Sequence, residues 1–199
     1  MASLFIEPCL PTISRTVPDG PGWAYEIKHD GFRFLAVRHR KQVHVYSRGG
    51  HDWAERLPAI TTALMALPVR SVVLDGEGVI CGRDGRPEFD SMRACSSRAG
   101  APQAFLYAFD VLELDGRDLR IEPWARRREA LMSLLADVDD GIRLASTSRV
   151  MAQSYSERLA VSGSKGSSQS GSTAAIARAG AGSGSRSRTR RIRRSSGLC

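Results

Sequence analysis

Apolar and polar residues alternate in short runs through the first part of the chain, the period-2 pattern of half-buried strands. Residues 24–28, 32–38 and Gln42–Ser47 each read as a strand, and an Asp30-Gly31 turn separates the first two. The period then lengthens. Leu57, Ile60, Leu64 and Leu67 recur at helical spacing, behind an Asp52 and Glu55 pair of capping-box form. Residues 71–74 and 78–81 return to strand, and Asp84-Gly85 turns the chain toward Pro87 and Phe89. Phe105–Leu114 is a strongly apolar strand closed by a turn at Asp115-Gly116. Pro123 sits where a helix can begin, because its missing N–H has no partner to lose in a first turn. Ala130, Leu131, Leu134 and Leu135 mark that helix's buried face. Strands lead and helices interleave without a βαβ rhythm. The expected class is therefore α+β, with antiparallel sheets flanked by helices.

After about Glu157 the pattern stops. Ser, Gly, Ala and Arg dominate residues 158–199 and aromatics vanish. Such a composition cannot bury enough apolar surface to offset its ordering entropy, so the expectation is a folded part over 1–157 and a disordered tail over 158–199. Charge sharpens this division. The whole chain carries +8, yet the tail alone holds eight Arg, one Lys and no acidic residue, leaving 20 basic against 21 acidic groups in residues 1–157. The tail is expected to bind polyanions weakly and without reading sequence, and the overall basicity says nothing about the folded part. No apolar run approaches the roughly 18 residues of a membrane span, and no positive leader precedes a hydrophobic run at the start. Cys9, Cys81, Cys95 and Cys199 form no C-x-x-C pair, which argues against zinc and a disulfide framework and for a cytoplasmic protein.

Candidate chemistry begins at Lys28-His29-Asp30-Gly31-Phe32-Arg33, which fits the pattern K-x-D-G-x-R. Taken alone it also reads as a hairpin turn with solvated Lys and Arg beside it. Further elements follow: Ser47-Arg48-Gly49-Gly50, then Leu74-Asp75-Gly76-Glu77-Gly78-Val79, then Phe105-Leu106-Tyr107-Ala108-Phe109-Asp110-Val111-Leu112, continued by Leu114-Asp115-Gly116. Phe5-Ile6-Glu7-Pro8-Cys9-Leu10 precedes them all. Each has a plain reading as a turn or a core strand. In this order they resemble the motif series of the covalent nucleotidyltransferases, the DNA ligases, RNA ligases and mRNA capping enzymes. The lead-in and the F-D-V-L-E-L-D-G strand are most similar to bacterial ATP-dependent DNA ligases, and the resemblance covers about residues 5–157.

The resemblance implies an ATP-grasp-like nucleotidyltransferase (adenylation) domain and assigns roles within it. Lys28 is the expected nucleophile at the α-phosphate of ATP. A protonated lysine cannot attack, so its pKa must be lowered by desolvation or nearby cations, and Arg33 and a magnesium ion could serve as those cations. Arg33 is expected on the ribose or phosphate side of the nucleotide, and Arg48 there or on a DNA 5′-phosphate, because a guanidinium fork matches phosphate oxygens. Glu26 is placed where the family reads the adenine amino group, with Ile27 beside it. Glu77 is assigned to the ribose or to magnesium, and Phe109 to stacking on adenine. Asp30 and Gly31 order the loop after the nucleophile; the His29 and Phe32 slots receive no role. Nicked or broken duplex DNA is the implied partner, in repair, recombination or replication.

The resemblance also implies elements that are not in frame here. An E-G-hydrophobic-V element, a K-V-K element and an OB-fold domain follow in the family, so an incomplete adenylation domain is expected. Shifting the reading frame back one nucleotide over residues 164–190, with permitted codons, yields E-G-I-V-S-K-R and later W-I-K-V-K-N-P. Both strings resemble the missing elements, in the right order, which points to a frameshift after about residue 157. Two alternatives stay open: a catalytically dead or nucleotide-binding fragment, and another K-x-D-G-x-R enzyme such as an RNA ligase or a GTP-using capping enzyme.

Overall fold

The computed structural model describes residues 5–10, 12–13, 23–82, 87–94, 100–138, 140–148, 174–179 and 189–191. In chain order come strands β1 (Thr12–Ile13), β2 (Trp23–Lys28), β3 (Phe32–His39) and β4 (Gln42–Ser47), helix α1 (Pro58–Ala66) and strand β5 (Ser71–Val79). Then follow α2 (Phe89–Ala94), β6 (Phe105–Leu114), β7 (Arg117–Asp118), α3 (Trp124–Leu134), β8 (Ile142–Leu144), β9 (Thr147–Ser148), β10 (Ala174–Ala179) and β11 (Thr189–Arg191). The chain divides into two compact units, residues 1–8 with 29–145 and residues 9–28 with 146–199.

The first unit is built on a six-stranded sheet in the order β4-β3-β5-β6-β7, with β8 added in parallel along β6. The other neighbours are antiparallel, in line with the α+β expectation. Phe34, Ala36, Val45, Leu74, Leu106 and Val111 point from it into one core, where they meet Ile60 and Leu64 of α1 and Leu131 of α3. Burying each of these larger side chains contributes about 2 kcal/mol. On the opposite face Leu35, Val37 and Val73 form a second, smaller cluster that Ile6 of the lead-in covers, with Tyr46 and Leu112 beside it. Phe5 meets Tyr46 edge-on, with ring centroids 5.6 Å apart.

Several local expectations meet a different outcome here. The two short strands expected at 71–74 and 78–81 are one continuous β5, buried at all nine positions. Gly76 and Gly78 do not break it, because β3 and β6 pair with it on both sides along this stretch. Asp52 caps no helix. Its carboxylate accepts the N–H groups of Val45 and Ala54, each at 3.0 Å, and Ala54–Arg56 forms a 3-10 turn. Helix α1 begins after Leu57 with Pro58 in its first turn and no side-chain cap. Helix α2 follows Pro87 and Glu88, where only a turn was expected; the Asp84-Gly85 turn itself lies outside the described residues.

The second unit carries a five-stranded sheet in the order β1-β11-β10-β2-β9. Strand β2 lies between β10 and β9, with Glu26 opposite Ile176 on one side and Thr147 on the other. Ala24, Tyr25 and Glu26 are buried. The boundary expected near Glu157 lies outside the described residues, as does most of the tail. Within it, 174–179 and 189–191 are strands where composition alone predicts no regular structure. Among the described residues no helix is long and apolar enough to cross a membrane.

Candidate active site

The face of the first unit's sheet that carries the smaller apolar cluster turns polar toward one end. Antiparallel register sets Arg33 of β3 opposite Glu77 of β5, and Glu77 opposite Tyr107 of β6, in one cross-strand row. Beside this row the guanidinium of Arg33 donates to both carboxylate oxygens of Asp75, Nε to Oδ1 at 2.9 Å and Nη2 to Oδ2 at 2.6 Å. This fork-on-fork geometry fixes the arginine plane as a single bond would not. The same guanidinium lies 5.6 Å from the centre of the Phe109 ring, within cation–π range.

Phe109 reaches that position through a β-bulge. Gly76 pairs with Ala108 and Asp75 with Asp110, so Phe109 is the extra residue on β6. A bulge re-aims the side chains around it. Phe109 faces Arg33, whereas the next residue, Asp110, points to α3. There Asp110 receives a buried two-pronged contact from Arg127, Nε and Nη2 each 2.9 Å from a carboxylate oxygen. Arg127 also donates to the carbonyl of Glu122, and Arg128 to the carbonyls of Phe109 and Ala145. Two arginines on α3 thus hold the peptide that carries Phe109.

The K-x-D-G-x-R segment meets the D-G-E segment within this unit. The N–H of Gly31 donates to Oε1 of Glu77 at 3.3 Å. A Cβ on residue 31 would run into the carbonyl oxygen of Gly78 and lie 2.8 Å from Cγ1 of Val79. Glycine is required here by the close approach of two strands, and Asp30 is left exposed at the turn. Gly31→Ala is expected to cost about 1–3 kcal/mol through this overpacking, read as a lowered urea midpoint. A variant as stable as the parent would remove the steric reading of this position.

Arg48 stands apart, exposed in the turn after β4. The turn is closed by the N–H of Gly50 on the carbonyl of Ser47 and by the N–H of Ser47 on the carbonyl of His51. Asp52 anchors its far end, taking Nδ1 of His44 at 2.7 Å. Partial burial pushes the Asp52 carboxyl up. The hydrogen bonds from His44, Val45 and Ala54 and the attraction of His44 outweigh this and hold it below the ordinary value. Beside it, burial and the nearby Asp52 charge push the Tyr46 phenol up.

In the second unit Glu26, Ile27 and Lys28 are consecutive on β2, and Glu26 is buried. Of the expected site residues, the structure therefore gathers Gly31, Arg33, Glu77 and Phe109 on one sheet face and places Arg48 in an exposed turn. Sequence reasoning overlooked Asp75, Asp110, Arg127 and Tyr107. It also left His29 without a role, although its ring stacks on Tyr107 with centroids 3.8 Å apart and planes within 10°. Asp75 was visible as the first acid of D-G-E, and Asp110 as the acid of F-D-V-L; Arg33 was already legible in K-x-D-G-x-R, whereas Arg127 had no local signal.

A family model described as the ATP dependent DNA ligase domain matches residues 8–161. The chain is 35% identical over 144 residues to the multifunctional non-homologous end joining protein LigD of Pseudomonas aeruginosa, covering 72% of this chain and 17% of that protein. It is 37% identical over 124 residues to a probable DNA ligase of Streptomyces griseus, covering 57% of this chain and 24% of that relative. It thus spans a quarter or less of the length of these two relatives. Among solved structures, a mycobacterial DNA ligase D complexed with ATP and MES matches with a TM-score of 0.65 at 23% identity, over 92% of this chain and 60% of that one. At that identity the likeness is one of fold.

Proposed function

Because this chain belongs to the ATP-dependent DNA ligase family, we propose that it carries the nucleotidyl-transfer part of such an enzyme, with Lys28 as the residue that accepts AMP. One observation supports this above the others. Two motifs more than forty residues apart are joined within the first unit, Gly31 to Glu77 and Arg33 to Asp75.

In the proposed first step the neutral amine of Lys28 attacks the α-phosphorus of ATP. An N–P bond forms, the bond from that phosphorus to the bridging oxygen breaks, pyrophosphate leaves, and the amine proton passes to solvent. AMP then moves to a DNA 5′-phosphate, and a 3′-hydroxyl displaces it to seal the strand. The protein's part is largely positioning and charge compensation. Arg33, already neutralised by Asp75, supplies oriented donors to the ribose or phosphate side of the nucleotide rather than net charge. Phe109 stacks on adenine. Glu26 and Ile27 read the adenine edge, and Arg48 takes a phosphate of the nucleotide or of DNA.

Magnesium is implied by the family, and the described residues can be tested against it. No group of three His, Cys, Asp or Glu among them could cage an ion. Glu77, whose Oε1 accepts the Gly31 N–H, is the carboxylate we assign to the task. This fits an ion that takes one protein carboxylate and completes its shell with water and nucleotide phosphates. Bound there, it would neutralise charge on the departing phosphates.

Nicked or broken duplex DNA in the cytoplasm is the proposed substrate, and the basic residues of 158–199 would add weak, sequence-independent attraction. Incubation with ATP labelled in the α-phosphate is expected to leave AMP covalently on the protein, and equally labelled GTP is expected to leave nothing. Preferential labelling by GTP would mean a capping-type enzyme. ATP binding without any adduct would reduce the chain to a nucleotide-binding protein and overturn the proposal.

A further inference from the structure

The geometry points to a duplex-binding surface along β4, separate from the nucleotide face and unused by the chemistry above except at Arg48. Residues 38–52 carry Arg38, Arg40, Lys41, Arg48 and three of the protein's four histidines against a single carboxylate, Asp52. The rest of residues 1–157 holds 16 Lys and Arg against 20 Asp and Glu. A folded part that is close to neutral overall thus concentrates its positive charge on one hairpin.

The structure orders that charge at two ends of one edge strand. β4 is the terminal strand of its sheet. At its start Arg40 and Lys41 are exposed in the turn from β3, and the N–H of Arg40 donates to the carbonyl of Arg70 at 2.7 Å, which adds a third exposed cation. At its far end stand Arg48 and His51, also exposed. Between them Asp52 is occupied by His44 and by two backbone N–H groups, so the segment's one carboxylate is already engaged. At the strand rise the two ends lie roughly 25 Å apart. That span falls within the roughly 34 Å of one helical turn of a duplex, so both ends can reach phosphates of one duplex.

Two features make the first end a preorganised platform rather than a loose loop. Arg38 turns inward, donating to the carbonyls of Leu64 at 3.1 Å and Leu67 at 2.7 Å at the end of α1, and to that of Arg40 at 3.0 Å. The hairpin tip is thereby tied to the helix behind it. Arg40 itself holds a left-handed backbone, φ 56°. Tight hairpins fill that position with Asn, Asp or Gly when only the turn matters. An arginine kept there against its conformational preference indicates use of its side chain. The partner that fits two cationic ends on one edge strand is the phosphodiester backbone of a DNA duplex. This surface would hold a duplex arm while the break is sealed.

The inference rests on DNA being the substrate, and its test is kept apart from adduct formation. Binding of the full chain to a fluorescent 30-base-pair nicked duplex is followed by anisotropy across a salt series. The triple variant Arg40→Ala, Lys41→Ala, Arg70→Ala is expected to flatten the dependence of log affinity on log salt by about 2 to 3, one phosphate contact per cation. Arg48→Ala should flatten it by about 1 more. The conservative pair Arg40→Lys with Arg70→Lys should keep the parental slope. The residues of 158–199 contribute equally to every variant and cancel in the comparison. A control triple, Arg117→Ala, Arg120→Ala, Arg126→Ala, removes the same charge from other exposed sites. An unchanged slope in the first triple, an equal loss in the control, or no binding by the parent chain would each overturn the surface. Absence of the AMP adduct with the slope differences intact would instead count against Lys28 alone.

Discussion

Replacing Lys28 with alanine is expected to reduce AMP labelling to background, with no partial activity left. The proposed intermediate is a bond to that one nitrogen, so nothing nearby can substitute for it in kind. Arginine should fail as completely as alanine. Its guanidinium keeps its proton at any pH the fold survives and offers no lone pair to phosphorus. The two variants together therefore distinguish a nucleophile from a merely cationic phosphate contact, for which arginine would be a fair replacement. Folding is expected to persist in both, because β2 is held by backbone pairing, Lys28 opposite Ala174 and Ile27 opposite Ala175. Circular dichroism recorded beside the labelling assay checks this. Adduct on Lys28→Ala would move the nucleophile elsewhere, and labelling of Lys28→Arg alone would reduce the site to charge.

A second large effect is expected far from the nucleotide. Arg127→Met should destabilise the first unit by about 3–5 kcal/mol, because it strands the Asp110 carboxylate in the interior without its partner. The pair is deeply buried, with side-chain exposures of 5% for Arg127 and 9% for Asp110, so solvent cannot take over the lost contacts. A total stability of about 5–15 kcal/mol is usual for a domain, so this is a large share of it. With a urea dependence of about 2 kcal/mol per molar, the midpoint should fall by roughly 2 M. Adding Asp110→Leu should recover most of the loss, since two apolar groups leave no uncompensated charge behind. If the single variant stays within about 0.5 kcal/mol of the parent, the pair is not the anchor described for Phe109. If the double variant is no better than the single, the stranded-charge explanation fails even where the destabilisation is real.

The two effects separate what was legible in the chain from what was not. Strands β4 and β6 were readable to the residue, because alternation and an apolar run closed by Asp-Gly are local signals. The helix after Pro123 was readable for the same reason. The interruption expected within residues 71–81 was not real: glycine's poor strand propensity was overridden by pairing on both sides, which only distant residues provide. His29 illustrates the converse. A variable position within a motif carries no chemical signal, yet register brings it onto Tyr107.

By itself the sequence determined the motif series, and with it the family, the candidate nucleophile and most strand positions, since each depends on residue identity over a few neighbours. Tertiary structure alone decided how those residues work together. The bulge that turns Phe109 toward Arg33 and Asp110 toward Arg127, the pairing of Arg33 with Asp75, and the placing of Arg70 beside Arg40 all depend on strand register and on contacts across the chain. Register is set by packing between distant segments, and no local pattern encodes it.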